Sequence, residues 1–414
     1  MAGIFPNIPV RTLDEKEADG TVSARWKTRC RAVTDLDAVA WNIRALAREL
    51  PERCALMAVV KGDGYGLGLL PLARTCCACG VPWLGTATLE EAEALRRDGL
   101  EQPILILGPT PPERAPELVR LEISQLVHSM DYALALSRNL KSGQRLRVHL
   151  AADTGMGRLG WWLTGETLEP VCREMLAIAA LPGLYVEGVM SQLACGRGGD
   201  AASLAYTDRQ ARLFSALCAA LEAHGLRAPY RHILNSGGLM HRPEYAMDMV
   251  RVGHLLCESL PGAEHLGLRS AMTLCAAIVS IKELPAGASV GYGRAFPLRS
   301  PSRIAVVAIG HSDGYPGALS GRGHFLLHGQ SVPVLEVCMD MTMADVTGVP
   351  DAQVGEEVVI VGRDGNQELT MGDVFRQSGG VIDAPLSACF TPRLPRYCCR
   401  HGQMMLPDEV PKTF

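Results

Sequence analysis

The sequence predicts a (β/α)8 TIM barrel followed by a second, mostly β domain. Eight short apolar runs with the character of strands alternate with helical stretches or loops over about two hundred residues, which is the element count of such a barrel. After about Gly262 the pattern changes to short apolar runs separated by Gly, Pro and Asp, as in a β domain. We therefore expect an N-terminal segment at residues 1–33, the barrel at 34–265 and the C-terminal β domain at 266–414.

The barrel elements follow one another in order. A helix from Asp35 to Leu50 is predicted first, because its apolar residues recur at helical spacing after an acidic start. The predicted strands are Ala55–Val60, Trp83–Ala87, Ile104–Leu107, Gln125–Val127, Val148–Ala151, Val186–Met190, His232–Leu234 and Met249–Val252. The helices expected between them are Leu89–Arg97, Pro112–Leu121, Met130–Leu140, Glu166–Ala180 and Ala202–His224. A doubly wound sheet is the competing architecture, but no G-x-G-x-x-G motif follows the first strand.

The second domain is predicted from strand-like runs alone. These runs are Leu274–Leu284, Ile304–Ile309, His324–Leu327, Val332–Val337 and Val358–Val361. The segment Thr28–Val33 precedes the barrel pattern, and we expect it to pair with this domain.

Composition excludes several classes of protein. With 414 residues, 48% of them hydrophobic, the chain is long enough for two domains that each have a core. The net charge is -4 and like charges do not cluster, which argues against a nucleic-acid-binding face. No apolar stretch reaches the length of a membrane span, and Met1 to Lys27 lacks the pattern of a signal peptide. We expect a cytoplasmic protein.

Fourteen cysteines are present, some of them in adjacent pairs such as Cys76-Cys77 and Cys398-Cys399. Many lie within apolar helical patterns, which indicates buried thiols in a reducing compartment and not a disulfide framework. The alternative is a zinc site that combines the C-x-x-C of Cys76-Cys77-Ala78-Cys79 with the group Cys398-Cys399-Arg400-His401. The first group lies on a helix-like stretch and the second is more than three hundred residues away, so no metal site is predicted.

The candidate catalytic residue is Lys61. It ends the first barrel strand and is followed by alternating glycines and by Tyr65. Burial at the end of a strand disfavours the ammonium form and lowers the pKa of a lysine, as a Schiff-base lysine requires. The alternative interpretation is a strand, a surface lysine and a flexible turn.

Further polar motifs follow later strands. The sequence DTGMGRLG runs from Asp153 to Gly160 after the fifth strand, Asn235-Ser236-Gly237-Gly238 follows the seventh, and the eighth contains Arg251 and ends at Gly253. In barrel enzymes the active site lies at these C-terminal strand ends, and a small-residue turn with a hydroxyl often holds a phosphate there. Taken singly, each motif is more often a surface group or a loop.

The stretch MAVVKGDGYGLG, from Met57 to Gly68, closely resembles the lysine motif of the alanine racemases, which bind pyridoxal 5'-phosphate (PLP) on a TIM barrel. The strand-end motifs resemble that family in the same order, and the resemblance extends from Val33 to Arg396. It implies that Lys61 carries PLP and that Arg158 approaches the substrate carboxylate. The resemblance also implies that Tyr65, Ser236 and the Gly253 backbone hold the phosphate. Arg251 would face the pyridine nitrogen, and Asn235 is a further cofactor-binding residue.

Two segments of the second domain match the same family. Gly291-Tyr292-Gly293-Arg294 resembles the segment that gives the second catalytic base, Tyr292. Cys338-Met339-Asp340-Met341 resembles the segment whose methionine amide, that of Met339, meets the substrate carboxylate. In that family both segments reach the active site of the partner subunit. The resemblance therefore implies a head-to-tail homodimer.

The expected chemistry is racemisation of alanine, which supplies D-alanine for peptidoglycan precursors. PLP serves as the electron sink for the carbanion formed at the α-carbon. Arg251 keeps the pyridine nitrogen unprotonated, because a guanidinium does not give up its proton, and this discourages transamination. Two opposed bases, Lys61 and Tyr292, allow deprotonation on one face and reprotonation on the other.

Five positions depart from the family pattern. Gln192 replaces a histidine near the cofactor ring, and Ala151 replaces a lysine, often carbamylated, that supports the substrate arginine. Pro392 replaces a tyrosine that donates to the phosphate and narrows the substrate channel, while His311 and Glu336 replace a channel tyrosine and a channel arginine. The substrate is therefore left open between alanine, serine and a larger amino acid.

Two other functions are compatible with the same barrel. PLP decarboxylases resemble one another in placing an acid at the pyridine nitrogen, where this chain has Arg251. A PLP carrier without enzymatic activity is the second alternative. Single-domain carriers lack the second domain, so the presence of Tyr292 and Met339 favours the racemase.

Overall fold

The computed structural model describes residues 28–380 and 386–411. The described residues form two compact units, one of residues 38–269 and one that combines residues 28–37 with residues 270–410. The first strand, β1 (Cys30–Asp35), belongs to the second of these units. The predicted N-terminal segment lies outside the described residues as far as residue 27. Within the described part of the chain, no helix is both long and apolar enough to cross a membrane.

The larger unit is a nearly closed barrel of eight parallel strands. Its strands are β2 (Ala55–Val59), β3 (Trp83–Thr86), β4 (Ile104–Ile106), β5 (Ile123–Val127), β6 (Leu146–Asp153), β8 (Leu184–Ser191), β9 (Tyr230–His232) and β10 (Met249–Val252), with the short β7 (Trp161–Trp162) paired beside β6. The spatial order is β10-β2-β3-β4-β5-β6-β8-β9. This architecture confirms the predicted TIM barrel.

Two backbone hydrogen bonds link the strands at which the barrel closes. The Asp248 N–H donates to the Arg231 carbonyl at 3.1 Å, and the Arg251 N–H donates to the Leu234 carbonyl at 3.1 Å. The seventh strand was predicted over His232–Leu234 but ends at His232. Leu234 nevertheless lies beside β10, because its carbonyl accepts the hydrogen bond from the Arg251 N–H. The residues that follow it are therefore held next to the end of β10.

Helices connect the strands on the outside, as in other barrels. They are α1 (Leu36–Arg48), α2 (Leu69–Ala78), α3 (Leu89–Arg97), α4 (Ala115–Arg120), α5 (Met130–Asn139), α6 (Leu168–Ala179), α7 (Ala201–Ala223), α8 (Ser236–His241) and α9 (His254–Cys257). Short 3-10 turns lie at Pro112–Arg114, Pro243–Tyr245 and Glu264–Leu266. Side chains cap several helices: Thr88 Oγ1 accepts from the Glu91 N–H at 3.3 Å, and Ser129 Oγ accepts from the Tyr132 N–H at 3.2 Å.

The barrel interior is filled by apolar side chains from neighbouring strands. Met57 and Val59 of β2, Trp83 of β3, Leu105 of β4 and Met249 of β10 form one buried cluster. Strands buried on both faces explain the uninterrupted apolar runs in the sequence. The candidate site lies at the ends of these strands.

The smaller unit is built on one large sheet. After β1 it contains β11 (Met272–Leu284), β12 (Ser289–Val290), β13 (Phe296–Pro297), β14 (Ser302–Val307), β15 (His324–Leu327), β16 (Gln330–Val337), β17 (Thr342–Asp345), β18 (Glu357–Asp364), β19 (Gln367–Leu369), β20 (Arg396–Arg400), β21 (Gln403–Met405) and helix α10 (Met371–Gln377). Its 3-10 turns lie at Tyr292–Arg294, His311–Asp313, Gly317–Leu319, Leu386–Cys389 and Pro407–Glu409.

Two features of this sheet give it its shape. Strands β18, β15, β16, β17, β14 and β11 form a ring, because β18 also pairs with β11. Strand β1 runs antiparallel to β11 and parallel to β20, so residues from the start of the described chain are part of the same sheet. The C-terminal part of the chain is thus mostly β structure, as predicted.

Candidate active site

Lys61 lies where the first barrel strand stops. The Val60 N–H still bonds to strand β3, at 2.8 Å, and Lys61 is the next residue. Burial lowers the pKa of Lys61, the positive charges of Arg158 and Arg251 lower it further, and only Glu91 acts in the opposite direction. The amine is thus easier to deprotonate than that of an exposed lysine. This suits a nucleophile or a general base.

A left-handed turn follows the lysine. Gly62, Asp63, Gly64 and Tyr65 all have positive φ angles, of 64°, 53°, 64° and 55°. Such angles cost little for glycine but are unfavourable for the two side-chain-bearing residues. A Cβ atom at Gly64 would lie only 3.2 Å from Leu72 Cδ2, so a larger residue would disturb the packing on α2. The turn brings the Tyr65 ring to the end of strand β10.

Tyr65, Ser236 and Gly253 meet at one place. A Cβ atom at Gly253 would lie 2.5 Å from the Tyr65 ring, so only glycine allows this approach. The Gly253 N–H donates to Ser236 Oγ at 3.3 Å. Asn235 precedes the serine, and its Oδ1 accepts from the Gly238 N–H at 2.9 Å, which fixes the turn. Two hydroxyls and a backbone amide thus surround one point. We call these three residues the Tyr65–Ser236–Gly253 cluster.

Arg251 is buried and its guanidinium donates to several acceptors. It bonds to His232 Nδ1 at 2.8 Å, to the Ser191 carbonyl at 2.8 Å and to Gln192 Oε1 at 3.0 Å. Burial, and then the charge of Arg158, lower the pKa of Arg251 to about 9, so the group stays protonated at neutral pH. Gln192, one of the departures from the family pattern, therefore helps to hold this arginine.

The contacts of Arg251 continue through the barrel interior. His232 Nε2 lies 2.8 Å from His149 Nδ1, and His149 Nε2 lies 3.3 Å from Glu187 Oε2. A guanidinium only donates hydrogen bonds, so His232 accepts at Nδ1 and donates from Nε2, and His149 does the same in turn. Ser124 Oγ adds a further hydrogen bond to the Glu187 carboxylate at 2.5 Å. In the row Arg251–His232–His149–Glu187, each group therefore donates a hydrogen bond to the next one, and every ring nitrogen has a defined role as donor or acceptor.

Electrostatics support neutral histidines in this row. Burial lowers the pKa of His149 and, together with the charge of Arg251, lowers that of His232 well below its usual value. Burial acts to raise the pKa of Glu187, but the hydrogen bonds from His149 and Ser124 hold it below its usual value. The buried positive charge of Arg251 therefore faces a carboxylate across two neutral rings.

Arg158 is held in place through its backbone. The Asp153 carboxylate accepts hydrogen bonds from the four backbone N–H groups of residues 155–158, at 2.8 to 3.1 Å. The side chain of Arg158 is exposed, but its charge still lowers the pKa of both Lys61 and Arg251. Ala151 is buried in an apolar cluster with Leu126 and Met190. Its position therefore offers no polar support to the arginine.

Replacing Asp153 with alanine should loosen the loop that carries Arg158. Four backbone donors would lose their shared charged acceptor, so we expect a loss of about 2–3 kcal/mol in the free energy of unfolding. For the racemase activity that the sequence predicts, we also expect a larger effect on the KM for the amino acid than on kcat. Urea denaturation and steady-state kinetics measure the two effects. An unchanged KM would show that the loop does not position Arg158.

In the smaller unit, Tyr292 is strongly exposed. The residue has 79% of its surface accessible, and its backbone N–H donates to Glu336 Oε2 at 2.6 Å. Gly291 has a φ of 89°, and a Cβ atom there would overlap the Glu336 carboxylate. Glu336, which the sequence marked only as a departure, thus fixes the backbone that presents the tyrosine.

Met339 is also exposed, at 66%. Its carbonyl accepts from the Ser312 N–H at 2.7 Å, and the next carbonyl, that of Asp340, accepts from the Arg29 guanidinium at 2.9 Å. Arg29 also forms an ion pair with the fully buried Asp313, with one contact at 3.0 Å. The loop that carries Met339 is therefore fixed from the backbone side while its side chain faces outward.

The structure thus gathers most of the predicted residues within the barrel unit: Lys61, Tyr65, Arg158, Asn235, Ser236, Arg251 and Gly253. Tyr292 and Met339 lie on exposed loops of the smaller unit. Sequence reasoning missed the roles of Asp153, His149 and Glu187. One signal was available, because Gly188 in strand β8 has no room for a Cβ atom beside the His149 ring, and glycine within a strand indicates such a close approach.

All fourteen cysteines are free thiols. In the part of the chain that the structure describes, no group of three or more His, Cys, Asp or Glu side chains is arranged to hold a metal ion.

Comparison with known proteins gives consistent matches. Residues 34–261 match the alanine racemase N-terminal domain and residues 271–398 match the alanine racemase C-terminal domain. A protein named alanine racemase from Desulfosudis oleivorans is 40% identical over 378 residues, which cover 89% of this chain and 96% of that protein.

Solved structures agree with the sequence matches. Alanine racemase from the D-cycloserine-producing Streptomyces lavendulae is 34% identical with a TM-score of 0.82, over 90% of this chain and 97% of that one. A histidine racemase from Leuconostoc mesenteroides is 27% identical with a TM-score of 0.77, over 90% of this chain and 99% of that one. The chain belongs to the alanine racemase family.

Proposed function

We propose that this protein is a PLP-dependent racemase that interconverts L- and D-alanine. The observation that carries the proposal is the environment of Lys61, a buried amine at a strand end whose pKa is lowered by burial and by two arginines. The Tyr65–Ser236–Gly253 cluster belongs to the same barrel unit, as do Arg158 and Arg251. Family membership supports the same activity.

The barrel residues fit PLP. The Tyr65–Ser236–Gly253 cluster offers hydrogen-bond donors for a phosphate, and burial raises the pKa of Tyr65 to about 12, so its hydroxyl keeps its proton. The absence of a side chain at Gly253 lets a ligand approach the backbone there. Lys61 supplies the amine for the aldehyde, and Arg251 supplies a fixed donor for the pyridine nitrogen. When bound, PLP provides the electron sink for the α-carbanion.

Two residues of the chain carry out the proton transfers, one on each face of the substrate. Lys61 Nζ removes or returns the α-proton on one face of the substrate, and the Tyr292 hydroxyl does so on the other. Arg251 keeps its proton at neutral pH, and the row of His232, His149 and Glu187 fixes its guanidinium in position. Arg251 would donate a hydrogen bond to the pyridine nitrogen of PLP without transferring its proton. Arg158 binds the substrate carboxylate.

A head-to-tail homodimer is part of the proposal. Tyr292 and Met339 are 79% and 66% exposed, which is unusual for large apolar or aromatic groups and is typical of an interface. In the proposed dimer each subunit gives these residues to the site of its partner. The backbone contacts of Glu336 with Tyr292 and of Ser312 with Met339 hold both loops ready for this role.

The test is conversion of each alanine enantiomer into the other. The purified protein with added PLP is mixed with L-alanine, L-serine or L-histidine, and chiral chromatography follows the opposite enantiomer. Release of an amine and carbon dioxide would instead indicate a decarboxylase. Binding of PLP without any inversion would indicate a carrier.

Serine is the second candidate substrate, and Pro392 favours it. This residue is exposed and has no hydroxyl and no backbone N–H, where the family has a channel tyrosine. A side chain larger than methyl then meets less obstruction, and His311, which is also exposed, offers a polar partner. A solved relative named for histidine is consistent with variation of the substrate within the family.

Pro392→Tyr should lower the ratio of serine turnover to alanine turnover. A restored tyrosine would narrow the channel and add a hydroxyl that can donate to the phosphate, so PLP should also bind more tightly, by about tenfold or more. Competition of both amino acids in one assay measures the ratio, and PLP titration measures the affinity. If neither changes, Pro392 does not face the channel.

A further inference from the structure

We propose that Arg197 binds the cofactor phosphate, as a positive charge added to the Tyr65–Ser236–Gly253 cluster. Neither the family resemblance nor the motifs in the sequence assign this residue a role. The inference rests on the proposed PLP site. Two contacts place Arg197 there, one through its backbone and one through its side chain, and the sign of its charge suits a phosphate.

The backbone of Arg197 is seated on the turn that contains Ser236. A Cβ atom at Gly237 would lie 2.6 Å from the Arg197 backbone nitrogen and would overlap Gly196. A Cβ atom at Gly196 would lie 2.7 Å from Asn235 Oδ1. Two glycines therefore allow the loop after β8 to touch the serine turn directly. The side chain of Arg197 starts from this contact.

The side chain of Arg197 is fixed beside Gly253. Its Nη2 lies 3.1 Å from Nδ1 of His254, the residue that directly follows Gly253. A guanidinium can only donate, so His254 accepts at Nδ1 and donates from Nε2 to Glu258 Oε1 at 3.2 Å. His254 and Glu258 are only 9% and 2% exposed. The arginine is therefore held by a buried pair, although it lies on a surface loop.

The phosphate needs a positive charge that the cluster itself does not provide. A phosphate monoester carries a charge of about -1.5 to -2 at neutral pH. The Tyr65 and Ser236 hydroxyls and the Gly253 amide are neutral donors. The charge of Arg197 already reaches this place, because it acts to lower the pKa of Tyr65 against the effect of burial. The Glu258 carboxylate accepts from His254 Nε2, the ring nitrogen that does not face Arg197.

Arginine suits this role because its planar guanidinium carries a fixed positive charge and its geometry matches that of a phosphate. The role also accounts for Pro392. If the phosphate-facing hydroxyl of the family is absent at that position, a charged donor from the barrel loop replaces it. Arg197 is a cofactor-binding residue in this proposal and takes no part in proton transfer.

The experiment compares PLP with pyridoxal, which has the aldehyde and ring but no phosphate. Dissociation constants are measured by absorbance titration for the unmodified protein and for Arg197→Gln, Arg197→Lys and Arg173→Gln. Arg173 is a matched control, since its side chain is 68% exposed on α6 and lies near Glu169 at the surface. Circular dichroism and thermal unfolding check that each variant is folded.

We expect Arg197→Gln to weaken PLP binding about ten- to a hundredfold, as for loss of a charge-assisted hydrogen bond. Pyridoxal affinity should stay within about twofold of the unmodified protein, Arg197→Lys should lie between the two, and Arg173→Gln should change neither constant. Equal losses of affinity for PLP and pyridoxal would mean that Arg197 only holds the loop in place. An unchanged dissociation constant for PLP would mean that Arg197 has no role in binding. Either result overturns the inference and leaves the proposed racemase activity intact. An unmodified protein that binds neither compound would overturn both proposals.

Discussion

Lys61→Ala should abolish both the retention of PLP and the racemisation of alanine. The variant loses the amine that holds the cofactor aldehyde and the base on one face of the substrate. Loss of a general base alone costs about 10²–10⁴-fold in rate, so with loss of the cofactor linkage we expect no measurable turnover. The absorbance of the purified protein and a chiral assay of alanine measure the two losses.

Borohydride reduction makes the assignment specific to one residue. The reagent should fix the cofactor irreversibly onto the unmodified protein, and peptide mass mapping should find it on Lys61. Lys282, an exposed lysine on strand β11, is the matched control, and Lys282→Ala should behave as the unmodified protein. Labelling of Lys282 or of any other lysine in its place would refute the proposed role of Lys61.

The polar residues at the strand ends could be predicted from the sequence, because each of them comes at or directly after an apolar run. Lys61, Arg158, Ser236 and Arg251 each lie at or just after an apolar run, and a parallel barrel brings all such ends to one face. Once the alternation of strands and helices is known, their proximity follows from topology alone. The family resemblance then added roles to residues that the pattern had already selected.

The row behind Arg251 could not be predicted in this way. His149 lies on β6 and His232 on β9, which are not neighbours in the sheet, so their contact depends on the geometry across the barrel interior. The pairing of β6 with β8 also shifts its register between Val148 and His149. A register shift changes which side chains face inward, and an apolar pattern does not locate it.

The sequence pattern missed six strands of the smaller unit, and two of them, β17 and β20, show a related reason. Thr342–Asp345 is short and half polar, yet it is a strand because it pairs with β14 on one side and β16 on the other. Arg396–Arg400 has an arginine at each end and pairs in parallel with β1, from a distant part of the chain. Tertiary pairing outweighs weak local propensity at both places. Such partners cannot be seen in a local window of sequence.

Glu336 illustrates the same limit at a single residue. By its resemblance to the family this position would hold a channel arginine, and the local sequence does not explain a glutamate there. In the structure its carboxylate accepts the Tyr292 N–H, at a position where only the small Gly291 leaves room. The departure thus supports the backbone of Tyr292, the proposed second base.

Mixed dimers of Lys61→Ala and Tyr292→Phe subunits should recover activity that neither parent has. In a head-to-tail dimer each site takes Lys61 from one subunit and Tyr292 from the other. Both sites of each parent dimer lack one base, whereas a mixed dimer has one site that lacks both bases and one that is intact. Random reassortment of equal amounts makes about half of the dimers mixed, so the mixture should reach about a quarter of the unmodified activity.

The measurement uses two affinity tags, so that mixed dimers are purified and counted by mass spectrometry before the chiral assay. The control is the double variant Lys61→Ala/Tyr292→Phe mixed with unmodified subunits. Each mixed dimer then has one site without Lys61 and one without Tyr292, so it should be inactive. If verified mixed dimers of the single variants stay inactive, or if the control dimers are half as active as the unmodified enzyme, then Lys61 and Tyr292 do not meet across a subunit interface and each site is built within one chain.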